Sequence, residues 1–599
     1  MWMRKDWFSA LGSIDLLGAN QRDSLENRDV STEKTPANDS EKTMPSAVDE
    51  SIEELPNSDA QGGVKRAEAI TLVWSRTSLI LVYALIFLIY FVNSLQQQIT
   101  GNLTAYVVSD FSLHSLIPVI SIVSSIMGGV LQLPTAKVLD LWGRSEGFAV
   151  MVFISTIGLV LMAVCQNVET YAAAQIFYSV GFTGLGYILE VVIADTSSLK
   201  NRALAFAFSS SPYIATTFAG PSAAESFYEH SNFRWAFGCF AIITPVISLP
   251  VFTILLLNQI KAKKIGILAK EPSGRNILQS IWHYIVEFDA LGVFLLSAGL
   301  VLFLLPFSLA GYETDKWESA SIITMLVIGF VLLVAFAISE RYIARKPFIP
   351  FHLLLSRTVI GACMLSATLF IAYYCWDGYY TSYLQVVHDL SISQAGYVAN
   401  IYNIGACFWA IIVGLLIRTS GRFKWLAWAA VPVQLLGGGL MIHFRHPNTP
   451  VGYVVMCQIF IALAGGTLVI CEQMAVMAVC EHGEVAALLA LLGLFSSVGG
   501  AVGSSVSGAI WTNTLPGALL ELLPDAAKAN VTDIYADLEI QLSYPVGDPV
   551  RTAIMEAYGI AQQRMCIAGT AILILAFVWV SMWKDVKVSE FKQVKGRVF

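Results

Sequence analysis

Apolar runs of about 20 residues recur from Leu79 to Met582, and this pattern leaves few folds open to the chain. Lipid offers no hydrogen bonds, so a spanning segment satisfies its own backbone as a helix or joins a closed barrel. Runs this long exceed the roughly 10 residues of a spanning strand and match a helix crossing a core of about 30 Å. The apolar set AVILMFWYC makes up 56% of the 599 residues and charged residues only 13%, which excludes a water-soluble globule. By length the runs predict fourteen spans, at 79–100, 116–136, 147–165, 171–194, 203–224, 235–258, 289–310, 318–339, 357–380, 394–417, 424–443, 451–474, 485–511 and 562–583. The expected class is an all-α membrane protein.

Charge orders the rest of the chain. Residues 1–70 hold 14 acidic and 8 basic side chains, nearly the whole net charge of −7, and read as a disordered acidic cytosolic tail. No secretory signal is expected, because Asp6, Ser9, Ser13 and Asp15 interrupt the first apolar stretch. From Lys65 onward, 24 Lys and Arg fall on the connections and terminal flanks of one side and 6 on the other, which predicts both termini in the cytosol. The expected units are a six-helix half at 71–258, a basic cytosolic loop at 259–288, two inserted helices and a loop at 289–356, and a second six-helix half at 357–583. The second half carries an extracellular loop at 512–561, and 584–599 is a basic cytosolic tail.

Two internal matches define the architecture. Val107-Val108-Ser109-Asp110-Phe111-Ser112-Leu113 returns as Val386-Val387-His388-Asp389-Leu390-Ser391-Ile392, and Lys137–Arg144 (KVLDLWGR) returns as Leu415–Arg422 (LLIRTSGR). The offsets, 279 and 278, agree closely and imply parallel halves about an axis normal to the membrane, the arrangement of a major facilitator fold with two helices inserted.

The nine cysteines form no CxxC pair and mostly lie within apolar runs, as small buried hydrophobes do. His443 and His446 form the only close histidine pair, with no third ligand beside them, so no metal site is expected. The glycine-rich stretch Gly493–Gly508 has no strand before it and no Walker lysine, and it reads as close helix packing. No cofactor, nucleotide or nucleic acid is expected, nor any catalytic set, and the chain does not read as an enzyme. The remaining partners are the bilayer, a substrate and the driving ion. Asn530-Val531-Thr532 in the outer loop is the expected glycosylation sequon; Asn102-Leu103-Thr104 lies too near a helix end, and Asn38 is cytosolic.

Asp140-Leu141-Trp142-Gly143-Arg144 resembles the signature loop of the major facilitator superfamily. An acid and an Arg about a Gly turn can latch neighbouring helix ends, with Asp195 and Arg202 as partners for the same latch; an ordinary short loop with positive-inside charge is the alternative. Ionisable groups inside a span are costly, so Glu190 and Glu472 are candidates to carry a coupling proton, or else they snorkel to the interface. The polar aromatic stretch Tyr373–Gln385, with Trp376, Asp377, Tyr379, Tyr380 and Tyr383, fits a cavity lining or an interfacial belt. Its counterpart in the first span, Asn93–Gln98, is also polar, and Asn93 and Gln97 are the candidates there.

Several stretches together resemble the fungal siderophore-iron transporter family: Leu116-Ile117-Pro118, Gly128–Pro134, Asp140–Arg144, Trp376-Asp377 through Ser382–Val387, Gln394–Tyr397 and Gln541-Leu542-Ser543-Tyr544-Pro545. The resemblance spans about residues 79–583 and implies proton-coupled uptake of ferric siderophores at the plasma membrane, with the last outer loop taking part in capture. A siderophore already saturates its iron, so such a carrier needs flat amphipathic contacts rather than metal ligands, and Tyr544 and Tyr558 join the span residues as candidates. A drug:proton antiporter of the same fold and a non-transporting sensor are the alternatives.

Overall fold

The computed structural model describes residues 65–67, 69–70, 74–110, 117–264, 276–311, 313, 315–345, 349, 351–480 and 484–588. The acidic segment before residue 65, the sequon at Asn38, the stretch 265–275 and the end of the chain after 588 lie outside the described residues.

The first half contains α1 (Arg76–Asp110), α2 (Ile117–Val130), α3 (Gln132–Leu141), α4 (Arg144–Val164), α5 (Val168–Thr196), α6 (Leu199–Ser210), α7 (Pro212–His230) and α8 (Phe233–Lys264). The inserted region holds α9 (Ile277–Glu287), α10 (Ala290–Leu304), α11 (Pro306–Leu309), α12 (Ala320–Ile338) and α13 (Phe351–Leu354). The second half runs through α14 (Arg357–Asp377), α15 (Tyr380–His388), α16 (Ile392–Ala399), α17 (Ile401–Ser420), α18 (Lys424–Phe444), α19 (Val451–Met477) and α20 (Val485–Leu522). It ends with α21 (Val531–Ala536), α22 (Leu538–Ser543), α23 (Pro549–Leu573) and α24 (Leu575–Ser581).

Among the described residues, thirteen helices are long and apolar enough to cross a membrane, and the protein is multi-pass. The remaining expected span is the α6–α7 pair, which turns at Ser211 and carries Tyr213, Thr216, Thr217 and Ser222. These polar positions dilute its apolar character. Two spans are longer than their apolar cores suggest: α20 continues to Leu522 and α23 begins at Pro549, so helix extends into both ends of the polar segment 512–561. Polar residues within a helix satisfy their backbone as well as apolar ones do, and a hydropathy ruler stops short of them.

The repeat is visible in the backbone. Gly143 and Gly421, matched by the sequence offset, both take positive φ, +116° and +69°, where an L side chain is strained. Tyr106 in α1 donates to Gln385 in α15, and these two positions are themselves 279 residues apart. Equivalent residues of two halves meet where a pseudo-two-fold axis passes, as the parallel repeat requires. Close packing comes from glycines in α20, where a carbon added at Gly499 would lie 2.5 Å from the Ala367 carbonyl oxygen of α14. The inserted α10 and α12 pack on each other at Gly299 and Gly329 and lean on α20, where Ser505 donates to the Leu304 carbonyl at 3.1 Å.

Candidate functional site

A cavity of about 470 Å³ lies between the halves, and a neighbouring one of about 430 Å³ shares Gln97, Gly101, Thr104, Ser121, Phe370 and Tyr374 with it. The larger is lined from α1 by Gln97, Gln98 and Asn102, from α14 by Tyr373, Tyr374, Trp376 and Asp377, and from α17 by Tyr402 and Asn403. Gln434 and Thr570 line it from α18 and α23. Four pairs of lining residues are repeat mates at the same offset of 279: Ser121 with Asn400 and, from α1, Gln97 with Trp376, Gln98 with Asp377, and Asn102 with Thr381. At the α1 positions one half offers amides where the other offers an indole, a carboxyl and a hydroxyl. The asymmetry leaves an amphipathic wall in which aromatic rings and amides stand among small and aliphatic residues.

The halves touch beyond the cavity on both sides. At the end away from Arg144, Gly396 of α16 sits against Pro221 of α7, an added carbon there lying 2.6 Å from the proline Cβ, and Ser222 bonds Tyr397 at 2.5 Å. At the Arg144 end, Gly414 of α17 meets the backbone of Leu204 in α6, and the Tyr187 hydroxyl donates to the Ala486 carbonyl at 2.8 Å.

Of the expected substrate residues, Gln97, Trp376 and Asp377 line the cavity, and Gln97 Oε1 accepts from the Tyr213 hydroxyl at 2.8 Å. Tyr379, Tyr380, Tyr383 and Tyr558 do not line it; they are buried in a packed aromatic core, with Tyr379 stacked on Trp511 at 3.8 Å. The helix restarts between Asp377 and Tyr380, so the faces of α14 and α15 are out of phase. Asn93 is buried and outside the lining. Tyr544 is half-buried on the far side of the aromatic core, and the Tyr558 hydroxyl donates to Gln541 at 2.6 Å, tying that core to the Gln541–Tyr544 stretch. Asn530 is exposed.

Arg445 is among the residues the sequence does not reveal. It stands at the end of α18, completely buried, 4.6 Å over the Trp376 ring and 4.2 Å over the Tyr380 ring, and donates to Gln562 at 2.8 Å. Ring faces, rather than a loop's solvent, meet its charge. It therefore fixes the back of the cavity-lining Trp376.

The latch residues gather at one end. Arg144 Nε donates to Asp195 Oδ2 at 2.9 Å, its Nη1 lies 3.7 Å from Asp140 Oδ1, and all three side chains are buried. Arg202 donates to the Ala194 and Ser197 carbonyls at 3.1 and 3.3 Å, closing the α5–α6 corner, and has Asp195 among its electrostatic neighbours. Glu472 accepts from Ser366 at 2.9 Å, and Ser366 in turn bonds Ser496, which joins α19, α14 and α20. Glu190 has Tyr90, Tyr187 and Tyr213 as its electrostatic neighbours. Neither glutamate lines the larger cavity.

Comparison with known proteins fits this architecture. The Major Facilitator Superfamily pattern matches residues 86–504. "MFS siderochrome iron transporter D" of Aspergillus fumigatus is 57% identical over 548 residues, covering 91% of each chain. The chain belongs to the fungal siderophore-iron transporter family of that superfamily. Other family members are "MFS siderochrome iron transporter 1" of Ajellomyces capsulatus, 54% identical over 93% of this chain and 95% of the relative, and "Siderophore iron transporter mirB" of Emericella nidulans, 48% identical over 92% and 91%. Among solved structures, an inward-facing bacterial homolog of the human lysosomal transporter Spinster aligns with a TM-score of 0.52. It covers 85% of this chain and 98% of that one at 13% identity, a likeness of fold. Members of the family are transporters, and this chain is a transporter by family rather than an enzyme.

Proposed function

We propose that the protein imports ferric siderophores across the plasma membrane together with protons, by alternating access, with both termini in the cytosol. The observation that carries this reading is the lining of the central cavity, with tyrosine, tryptophan and amide side chains from both halves. A preassembled iron complex presents a bulky, semi-polar outer surface, which such side chains bind through flat faces and hydrogen bonds. The names of the relatives support the same substrate class, and the matching distribution of Lys and Arg supports the orientation. The contacts at Gly396 and Gly414 are then the two gates, the Arg144–Asp195 pair belongs to the cytosolic one, and the exposed Asn530 faces outside, where it accepts a glycan.

The test is uptake of radio-iron supplied as several ferric siderophores, against ferric citrate, in cells lacking their own carriers, with and without a protonophore. Accumulation of one siderophore class that collapses with the protonophore is expected; lower cell-associated siderophore on expression would instead indicate export, and surface binding without accumulation a sensor.

Proton coupling gives a second expected result. A carboxyl that carries the proton must be protonated for inward movement, so parent uptake rises as external pH falls. Glu190→Gln cannot release or take up a proton and is expected to flatten that profile by about tenfold between its limbs, since one pH unit changes proton concentration tenfold. A Glu190→Gln profile that overlays the parent, with a flattened Glu472→Gln profile, assigns the coupling to Glu472.

A further inference from the structure

The helix α9 is chemically two-sided. Its capping box, in which the Asn276 amide donates to Gln279 at 3.1 Å, starts a helix whose Leu278, Ile281, Trp282 and Ile285 recur at i, i+3, i+4 and i+7. All four are exposed, Leu278 by 81% and Trp282 by 65%. The other face holds to the protein: Tyr284 packs edge-on to Trp142 at 5.4 Å, Phe288 meets the same indole at 6.3 Å, and Lys137 donates to the Glu287 carbonyl at 3.0 Å. Asp289 then takes a left-handed conformation and caps Gly292, which separates α9 from the span α10.

Two observations identify what covers the apolar stripe. It continues past Asp289 into Leu291 and Phe294, exposed residues on α10, which together with α11 is long and apolar enough to cross a membrane and so presents its outer surface to acyl chains. A soluble partner would have to share that surface with lipid. The same end of the bundle is also basic: Gln259 of α8 bonds Glu146 beside the Gly143 turn, and α8 ends in the exposed Lys261, Lys263 and Lys264. An apolar helix face beside a cluster of lysines is the composition of a helix lying in a headgroup layer.

We propose that α9 lies in the interfacial layer of the bilayer at the Arg144 end, its Leu278–Ile285 stripe among acyl chains and Lys261, Lys263 and Lys264 on anionic headgroups, and that it braces the Gly143 turn through Trp142. Trp142 also accepts a hydrogen bond from Arg66 on its carbonyl, so this one residue receives both the segment before α1 and the interfacial helix. The anionic content of that leaflet thereby bears on the turn that carries Arg144.

The experiment uses the full chain, purified and reconstituted into phosphatidylcholine vesicles with or without phosphatidylserine. Trp282→Cys is labelled with bimane, and the signal of the labelled parent protein, whose half-buried Cys239, Cys407 and Cys480 can also react, is subtracted. Quenching by lipids doxyl-labelled near the headgroup is expected, with little quenching by aqueous iodide. Phosphatidylserine is expected to deepen the probe, and each lysine changed to Gln to weaken that dependence by about fivefold. Tyr284→Ala is expected to leave the probe depth unchanged while amide exchange over residues 142–147 accelerates. Iodide quenching without doxyl quenching overturns the proposal. Protection from both also overturns it and means that a protein surface covers the stripe. Unchanged exchange at 142–147 in Tyr284→Ala overturns the bracing role. None of these readings uses transport, so they stand apart from the identity of the substrate.

Discussion

Replacing Arg144 with Ala is expected to destabilise the protein by about 3–5 kcal/mol and to bring uptake close to background. The guanidinium sits between Asp195 at 2.9 Å and Asp140 at 3.7 Å and also donates to the Leu139 carbonyl at 2.9 Å. Removing one member of a buried pair leaves the other charge uncompensated, here two carboxylates at once, which is worse than never having built the pair. The Gly143 turn is strained for any other residue by its positive φ, and beside Arg144 it is tied through Ser145 and Glu146 to Gln259 of α8 by hydrogen bonds alone. Arg144→Lys keeps the charge but loses the planar fork, so an intermediate loss is expected. Thermal unfolding of the detergent-purified protein and radio-iron uptake check both parts. An Arg144→Ala protein that melts with the parent and transports at more than half its rate would contradict the latch.

Arg551→Ala is expected to release the segment ahead of α23. Arg551 is buried and holds two stretches together by their carbonyls, Gln385 and Val386 at the end of α15, and Gln541 and Tyr544 around α22, at 2.8–3.3 Å. Its ion pair with Asp389, at 3.6 Å, is half in solvent and adds little. Losing the guanidinium strands buried carbonyl oxygens at about 1–3 kcal/mol each, and the loss falls on a short segment rather than on a span. Amide exchange over 538–548 is expected to rise at least tenfold, with weakened substrate affinity because Tyr544 is no longer held. Tyr544→Ala should separate the two effects, weakening uptake at low substrate while exchange in the segment stays at the parent level. Unchanged exchange in Arg551→Ala would remove Arg551 from this role, and unchanged uptake in Tyr544→Ala would remove Tyr544 from capture.

Arg144 was legible because it follows a Gly in a motif that repeats at Gly421-Arg422, and both glycines have positive φ. Arg445 and Arg551 were not, because in a charge count each belongs to a connection between spans, whereas helices α18 and α23 carry them into the protein and cover them. The repeat is readable in the matched stretches at 107–113 and 386–392, whereas the meeting of Tyr106 and Gln385 one residue before them is seen only once the halves are packed.

The aromatic stretch of the ninth span shows the same limit at finer grain. Its chemistry marks the cavity wall, and Trp376 and Asp377 are there. Which of the five tyrosines face the cavity depends on the restart of the helix after Gly378, a backbone event with no separate signature in the side chains. Tyr373 and Tyr374 face in, while Tyr379, Tyr380 and Tyr383 build the core behind them. The fifth span was found by its apolar run but is interrupted and hydroxyl-rich, since α7 faces the other half across Gly396 and Tyr397. The amides of α17 and α18 in the lining, Asn403 and Gln434, carry no motif, and only the packed halves bring them to the cavity.

The most direct measurement is uptake by the purified full-length protein in liposomes, with an imposed inward proton gradient and ferric siderophore labelled separately in iron and in ligand. Iron and ligand are expected to enter together in a constant ratio, accumulation to exceed equilibrium only while the gradient lasts, and Asp377→Asn at the cavity wall to reduce it. Entry of iron without ligand, or equilibration indifferent to the gradient, would contradict proton-coupled import of the siderophore.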